Sequence, residues 1–220
     1  MRRVLILVEG QTEERYVNQV LGPHLWSVGV SAVPKIVVTK RAKGVSHFKG
    51  GVVSYQQVRG DLRRLLSDTG VAAVSTMLDY YGLPSDFPGR ATMPAGMRSA
   101  RQRAEHVESA LAGDIGDARL IPYISMHEFE ALLFSEPAAF DGLFPGKNGG
   151  ARVRAARDEF STPEEINDGW ETHPAARLMK IFPDYDKATV GPITAARIGL
   201  EKMRSECPHF NSWVSRLEAL

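Results

Sequence analysis

The chain has 220 residues, 43% hydrophobic and 24% charged, with a formal net charge of +1. These proportions exclude a disordered or fibrous protein and fit one globular domain, bare or elaborated. The single cysteine, Cys207, excludes an internal disulfide and a zinc-type thiolate cluster, and is expected to be a small buried hydrophobe.

Met1-Arg2-Arg3 has the basic start of a secretory signal, but the apolar run behind it stops at Val8, where Glu9 interrupts it. No signal peptide or membrane span is expected, and the chain reads as cytoplasmic. Val4 to Val8, continuous and branched, predicts a buried strand; Gly10 makes a turn, and a helix follows from about Thr12 to Leu25. Lys35 to Lys40 reads as a second strand, and Tyr55 to Leu66 as a helix with Val58, Leu62, Leu65 and Leu66 on one side. Val71 to Leu78 predicts a third buried strand ending at Asp79, Arg98 to Leu111 a helix, and Leu120 to Ile124 a fourth strand whose Pro122 fits best near an edge.

This alternation predicts an α/β fold with a mostly parallel central sheet and helices on both faces. After Ser135 strand signals fade, and Gly146 to Gly150 and Pro163 punctuate short helical pieces up to Trp213–Leu220. The expected organisation is a core over residues 1–135 and a helical elaboration over 136–220, packed together as one unit.

Charge is unevenly distributed. Lys35 to Arg64 holds eight basic residues against one acid, Asp61, leaving 19 basic and 25 acidic residues elsewhere. The segment, with Lys40, Arg41, Lys43 and Lys49 at its centre, suits a polyanion such as nucleic acid; a solvated loop and outer helix face would look the same.

The strand-turn-helix at the start is laid out like a phosphate-binding unit but has neither GxxxxGK[ST] nor GxGxxG spacing. Glu9 at the strand's carboxyl end would repel phosphate unless a hard divalent cation stood between them, so Glu9 reads as a magnesium ligand. Glu13 and Glu14 complement the helix dipole whatever else they do, and Thr12 is a good N-cap. Asp79 ends another strand on the same rim, where ligands of parallel sheets bind; alone, it could equally cap its loop. In His127–Phe134 (HEFEALLF), Glu128 and Glu130 would diverge by about 200° on a helix, so one is expected to face the site and the other to support it or face solvent. His127 reads as a hydrogen-bonded shoulder residue or as the group that orients a ligating carboxylate. Lys187, in a turn before a helix, reads from spacing alone as a surface lysine.

Glu9-Gly10-Gln11-Thr12-Glu13 after one strand and Asp79 after another resemble the Toprim fold, the metal-binding module of topoisomerases, bacterial primases and nucleases of the overcoming-lysogenization-defect group. More closely, VEGQTEE, LDYYGLP, PYISMHEFEALLFS, PEEINDG, YDK and CPHFNSW are similar to the ordered motifs of a bacterial domain-of-unknown-function family of compact Toprim-like proteins. The resemblance spans nearly the whole chain. It implies that Glu9 and Asp79 bind metal, joined by Glu13 or by Glu128 or Glu130, with Mg2+ or Mn2+ as cofactor. It also makes Lys187 catalytic, stabilising charge on a scissile phosphate. Such proteins often lie beside an ABC-type ATPase in antiphage defence loci, which implies an ATPase partner; self-association is a further expectation, and a membrane partner is not.

The chain departs from the pattern twice. Tyr81 stands where the usual Asp-x-Asp has its second aspartate, and Pro174-Ala175-Ala176-Arg177 stands where relatives often read Pro-Ser-Lys-Arg. The function expected is metal-dependent hydrolysis of phosphodiester bonds in RNA or DNA. The competing readings are a primase-like nucleotidyl transferase and a non-catalytic, ATPase-binding subunit with a degraded metal site.

Overall fold

The computed structural model describes residues 1–37, 52, 54–97, 99–144, 148–166, 169 and 171–220. Strand β1 (Arg2–Val8) leads into α1 (Gln11–Tyr16), a π-helical turn (Val17–Leu21) and α2 (Gly22–Ser27), then β2 (Val30–Ile36). Next come α3 (Tyr55–Leu66), β3 (Ala73–Asp79), α4 (Ala100–Ile115), β4 (Leu120–Ile121) and β5 (Ile124–Ser125). The remainder is helical: 3-10 turns at Phe129–Ser135, Pro137–Phe140 and Pro163–Glu165, and α5 (Gly149–Arg157), α6 (Pro174–Ile181), α7 (Lys187–Ile198), α8 (Leu200–Glu206) and α9 (Pro208–Glu218).

The protein is therefore α/β, with a parallel sheet in the order β2-β1-β3-β4 and β5 paired to β3 beyond β4. Alternation along β1 sends Val4, Ile6 and Val8 to one face and Leu5 and Leu7 to the other. The second face is covered by α3 and α4 through Val58, Leu62, Val107 and Leu111. The first is covered by α1, α2 and the C-terminal helices through Tyr16, Leu178, Phe210 and Trp213. No helix among the described residues is long and apolar enough to cross a membrane.

Three local expectations are corrected. The second strand begins at Val30 rather than Lys35, because the interrupted pattern VSAVPKI hides an edge strand whose Pro34 costs no ladder bond on its open side. The single strand expected over Leu120 to Ile124 is split at Pro122-Tyr123 into β4 and β5. Gly10, not Thr12, is the N-cap of α1, and Glu13 reaches back to accept the Gly10 amide at 2.8 Å.

The last helix is tied to the middle of the sheet. Glu164 accepts the backbone N–H groups of His209 and Phe210, both at 2.9 Å, satisfying the buried start of α9. Buried Glu108 accepts from Ile124 N at 2.8 Å and bonds His209 Nε2 at 2.9 Å, joining α4, β5 and α9. Trp213 donates to Ser75 Oγ at 2.8 Å and stacks on Tyr123 with centroids 4.4 Å apart. Replacing Glu164 with alanine strands two buried donors, and urea unfolding should show a loss of about 2–3 kcal/mol. A loss below about 0.5 kcal/mol would contradict this capping role.

Candidate metal centre

Parallel pairing aligns the strand ends. Val8 lies opposite Met77, so Glu9 and Asp79 both leave the sheet at its carboxyl rim. They meet there: Glu9 Oε2 accepts the Asp79 amide at 3.2 Å. Gly82 makes room, since a Cβ at that position would stand 3.2 Å from Glu9 Oε1. On the other side of β3, Asp79 pairs with Ser125, which carries the following residues past Asp79 until Phe129 N donates to Asp79 Oδ1 at 2.9 Å.

Glu128 is extended (φ −146°, ψ 159°) and caps the 3-10 turn in which Glu130 sits. This break in helical phase corrects the expected divergence, because both carboxylates turn to the same ammonium. Lys187 Nζ donates to Glu128 Oε1 at 3.2 Å and to Glu130 Oε2 at 3.3 Å. Lys187 is the first residue of α7, placed by its cap, Asp186, whose carboxylate accepts Thr189 N at 2.7 Å. Ligand oxygens of Asp79, Glu128 and Glu130 all lie within 4.8 Å of one another.

Glu128 is fully partnered. Its Oε2 bonds His173 Nδ1 at 2.8 Å and accepts Ala175 N at 2.9 Å, and these groups with Lys187 outweigh burial and hold its carboxyl below the ordinary range. The others move the opposite way. Burial and the surrounding carboxylates raise Asp79 well above its usual range; burial also raises Glu9 and Glu130, against the opposing pull of Lys187. Burial first, then the charges of Glu130 and Glu9, push Glu13 up to about 8. Burial would lower the Lys187 pKa, but Glu130, Glu128 and Asp79 together raise it, so the ammonium stays charged.

Lys187 thus bonds Glu128 and Glu130 and acts on Asp79 and Glu9, while Glu13 sits against Glu130 and Glu9 in the same cluster. A further cation fits this donor set on two grounds. The 4.8 Å spread matches the roughly 4–5 Å across which one hard cation holds opposed oxygen ligands. In addition, Ser125 and Tyr185 bury hydroxyls that have no hydrogen-bond partner among the described residues; Ser125 pairs with Asp79, and Tyr185 feels the charges of Glu130 and Glu128. Such hydroxyls, left unsatisfied beside clustered acids, could bond an ion or its water.

Of the residues singled out in the sequence, Glu9, Glu13, Asp79, Glu128, Glu130 and Lys187 converge. His127 is buried beside them, and its carbonyl accepts Tyr81 N at 3.1 Å. Lys40, Arg41, Lys43 and Lys49 lie outside the described residues. Tyr81 supplies no carboxylate; its ring stacks on His173 with centroids 5.1 Å apart, bracing the imidazole that holds Glu128. The alanine at position 175 matters little to Glu128, because the contact uses the backbone amide. His173, Gly82, Ser125 and Tyr185 were not foreseen. Only Gly82 carried a signal, as the glycine of the loop directly behind Asp79.

None of the curated proteins and none of the solved structures compared with this chain matches it. A family model described as Domain of unknown function (DUF4276) matches residues 8–218. With its five acids and Lys187 all inside that span, the chain belongs to the DUF4276 family.

Proposed function

We propose that the protein is a divalent-metal-dependent nuclease, hydrolysing phosphodiester bonds in RNA or DNA with Mg2+ or Mn2+ as cofactor. The observation that carries this reading is a cluster of five carboxylates gathered about Asp79 at the carboxyl rim of a parallel sheet, with Lys187 bonded to two of them. A cation bound there would polarise a phosphate oxygen and lower the pKa of an attacking water. Asp79, Glu128 and Glu130 would hold it, with Glu9 and Glu13 beside them. Gly82 and the Asp79 amide fix Glu9; Phe129 N fixes Asp79; His173 and Ala175 N fix Glu128. The Lys187 side chain is 41% exposed, so its ammonium can donate both to the carboxylates and to a substrate phosphate reaching the rim. There it stabilises charge that grows in the transition state.

The Toprim-like character and the ATPase partner belong to the same proposal and rest on the motif resemblance alone. We place the activity in the cytoplasm, consistent with a lone, buried cysteine. End-labelled single- and double-stranded RNA and DNA, incubated with the protein in Mg2+, Mn2+ or EDTA, provide the test. Cleavage in metal and none in EDTA is expected. Absence of metal-dependent cleavage of every substrate would overturn the proposal.

A further inference from the structure

Two adjacent tyrosines follow Asp79 and take opposite positions. Tyr80 turns inward and is buried with the residues that pack α3 and α4 on the sheet, whereas Tyr81 is 36% exposed. The turn that carries Tyr81 is fixed at the rim, since its backbone N–H donates to His127 O at 3.1 Å and the next residue, Gly82, stands against Glu9.

The ring itself is also held. It stacks on the His173 imidazole with centroids 5.1 Å apart and planes 23° from parallel. His173 Nδ1 bonds Glu128 Oε2 at 2.8 Å, and Lys187 Nζ donates to the other oxygen, Oε1, at 3.2 Å. One carboxylate thus fixes an ammonium through one oxygen and, by way of the imidazole, an aromatic ring through the other.

Exposure divides in the same way. Glu13, Glu128 and Glu130 are buried and the His173 side chain is 14% exposed, while the Lys187 side chain is 41% exposed. A substrate that approaches from solvent therefore meets Lys187 and Tyr81 before it meets those carboxylates.

Bracing His173 accounts for the covered part of the Tyr81 ring and for nothing that stays exposed. An aliphatic side chain would brace the imidazole too and present no π surface. An ammonium takes a phosphate oxygen as a point charge, and an ordered aromatic ring takes a nucleobase by stacking, whichever base it is. Inside a duplex every base is already stacked and paired, so a base that reaches a protein ring comes from a single strand or has been drawn out of the helix.

We propose that Tyr81 is a stacking platform for an unpaired nucleobase beside the scissile phosphate, which makes single-stranded nucleic acid the substrate class of this site. The platform rests on the nuclease reading for that phosphate, but stacking is measured by binding alone, so either claim can fail without the other.

The test pairs the ring with the base. Labelled single-stranded DNA of roughly four nucleotides, intact or with an abasic site at each position in turn, is titrated by fluorescence anisotropy in Ca2+ and in EDTA. In the parent, loss of the base at one position should weaken binding on the order of tenfold, and loss at the others much less. Tyr81→Leu, which still covers His173, should bind the intact strand on the order of tenfold more weakly and lose nothing further at that position. Tyr81→Phe keeps the ring and should reproduce the parent's pattern. A ring that only braces His173 would weaken every strand alike on replacement and leave the pattern unchanged. The platform is overturned if the parent binds no strand, if it is indifferent to which base is missing, or if the folded leucine variant keeps the parent's pattern; the first two outcomes need no variant to fold. A ring-dependent pattern in a protein that never cleaves in Mg2+ would uphold the platform and remove the nuclease reading, and cleavage with no such pattern would do the reverse.

Discussion

Asp79→Asn should abolish metal-dependent cleavage, with a fall on the order of a hundredfold or more, and at the same time raise the melting temperature in EDTA. The two effects have one cause. Asp79 is crowded by Glu9, Glu13, Glu128 and Glu130, so removing its charge relieves repulsion in the metal-free protein while deleting a ligand from the metal-loaded one. Amide and carboxylate have nearly the same shape, and the bond from Phe129 N to Oδ1 survives the exchange. Glu9→Gln should behave in the same way. Lys187→Met should lower both quantities, because Glu128 and Glu130 then lose their cation. Differential scanning fluorimetry in EDTA, read beside cleavage rates, checks the set. Asp79→Asn losing stability in EDTA would mean that the acids are structural members of the fold rather than a repelled cluster awaiting a cation.

The second large effect is the dependence of metal stabilisation on pH. Glu13, raised from an ordinary 4.5 to about 8 in the folded protein, binds more protons there than in the unfolded chain across that interval. Its contribution to stability is complete below the unfolded value and is lost as pH rises through the folded one. Glu9, Glu130 and Asp79 shift in the same direction and add to the trend. In EDTA the protein should therefore melt at a lower temperature at pH 8 than at pH 5.5; at about 1.4 kcal/mol per unit, Glu13 alone sets an upper bound of about 3.5 kcal/mol on the difference between those two pH values. Mg2+ or Mn2+ competes with protons for the same oxygens, so the increase in melting temperature on adding metal should be greatest at pH 8, with protons released on binding. At a hundred times the dissociation constant, the stabilisation is about 2.7 kcal/mol. A metal-induced shift that is absent, or larger at pH 5.5 than at pH 8, would count against carboxylate ligation by this cluster.

What the sequence disclosed and what it hid follow one physical division. The apolar runs of β1 and β3 are buried on both faces, so their composition alone marks them, and Glu9 and Asp79 stand out as charges where such runs end. Edge strand β2 is only half buried and broken by Pro34, so its pattern is weak. The joint approach of Glu128 and Glu130 to Lys187 was hidden because periodicity assumes a continuous helix, and the extended backbone at Glu128 changes the phase. His173 lies 45 residues from the carboxylate it supports, and Arg90 and Arg103 meet over Tyr80 from separate elements. Pairings of that kind leave no local trace. They arise only when the topology brings distant segments to one rim.

The cross-tie from α9 to Glu108 and Ser75 has a consequence for biosynthesis. β5, the platform that delivers Glu128 and Glu130, is fastened through Glu108 to His209 in the closing helix. A nascent polypeptide therefore emerges with Glu9 and Asp79 long before the fastening can form, and the opposing carboxylates acquire their final support only once His209 has been made. Premature termination before Pro208 would leave all five clustered acids in the product and none of the anchorage from His209, Phe210 and Trp213, so truncated chains would carry the carboxylates without the tie that supports them.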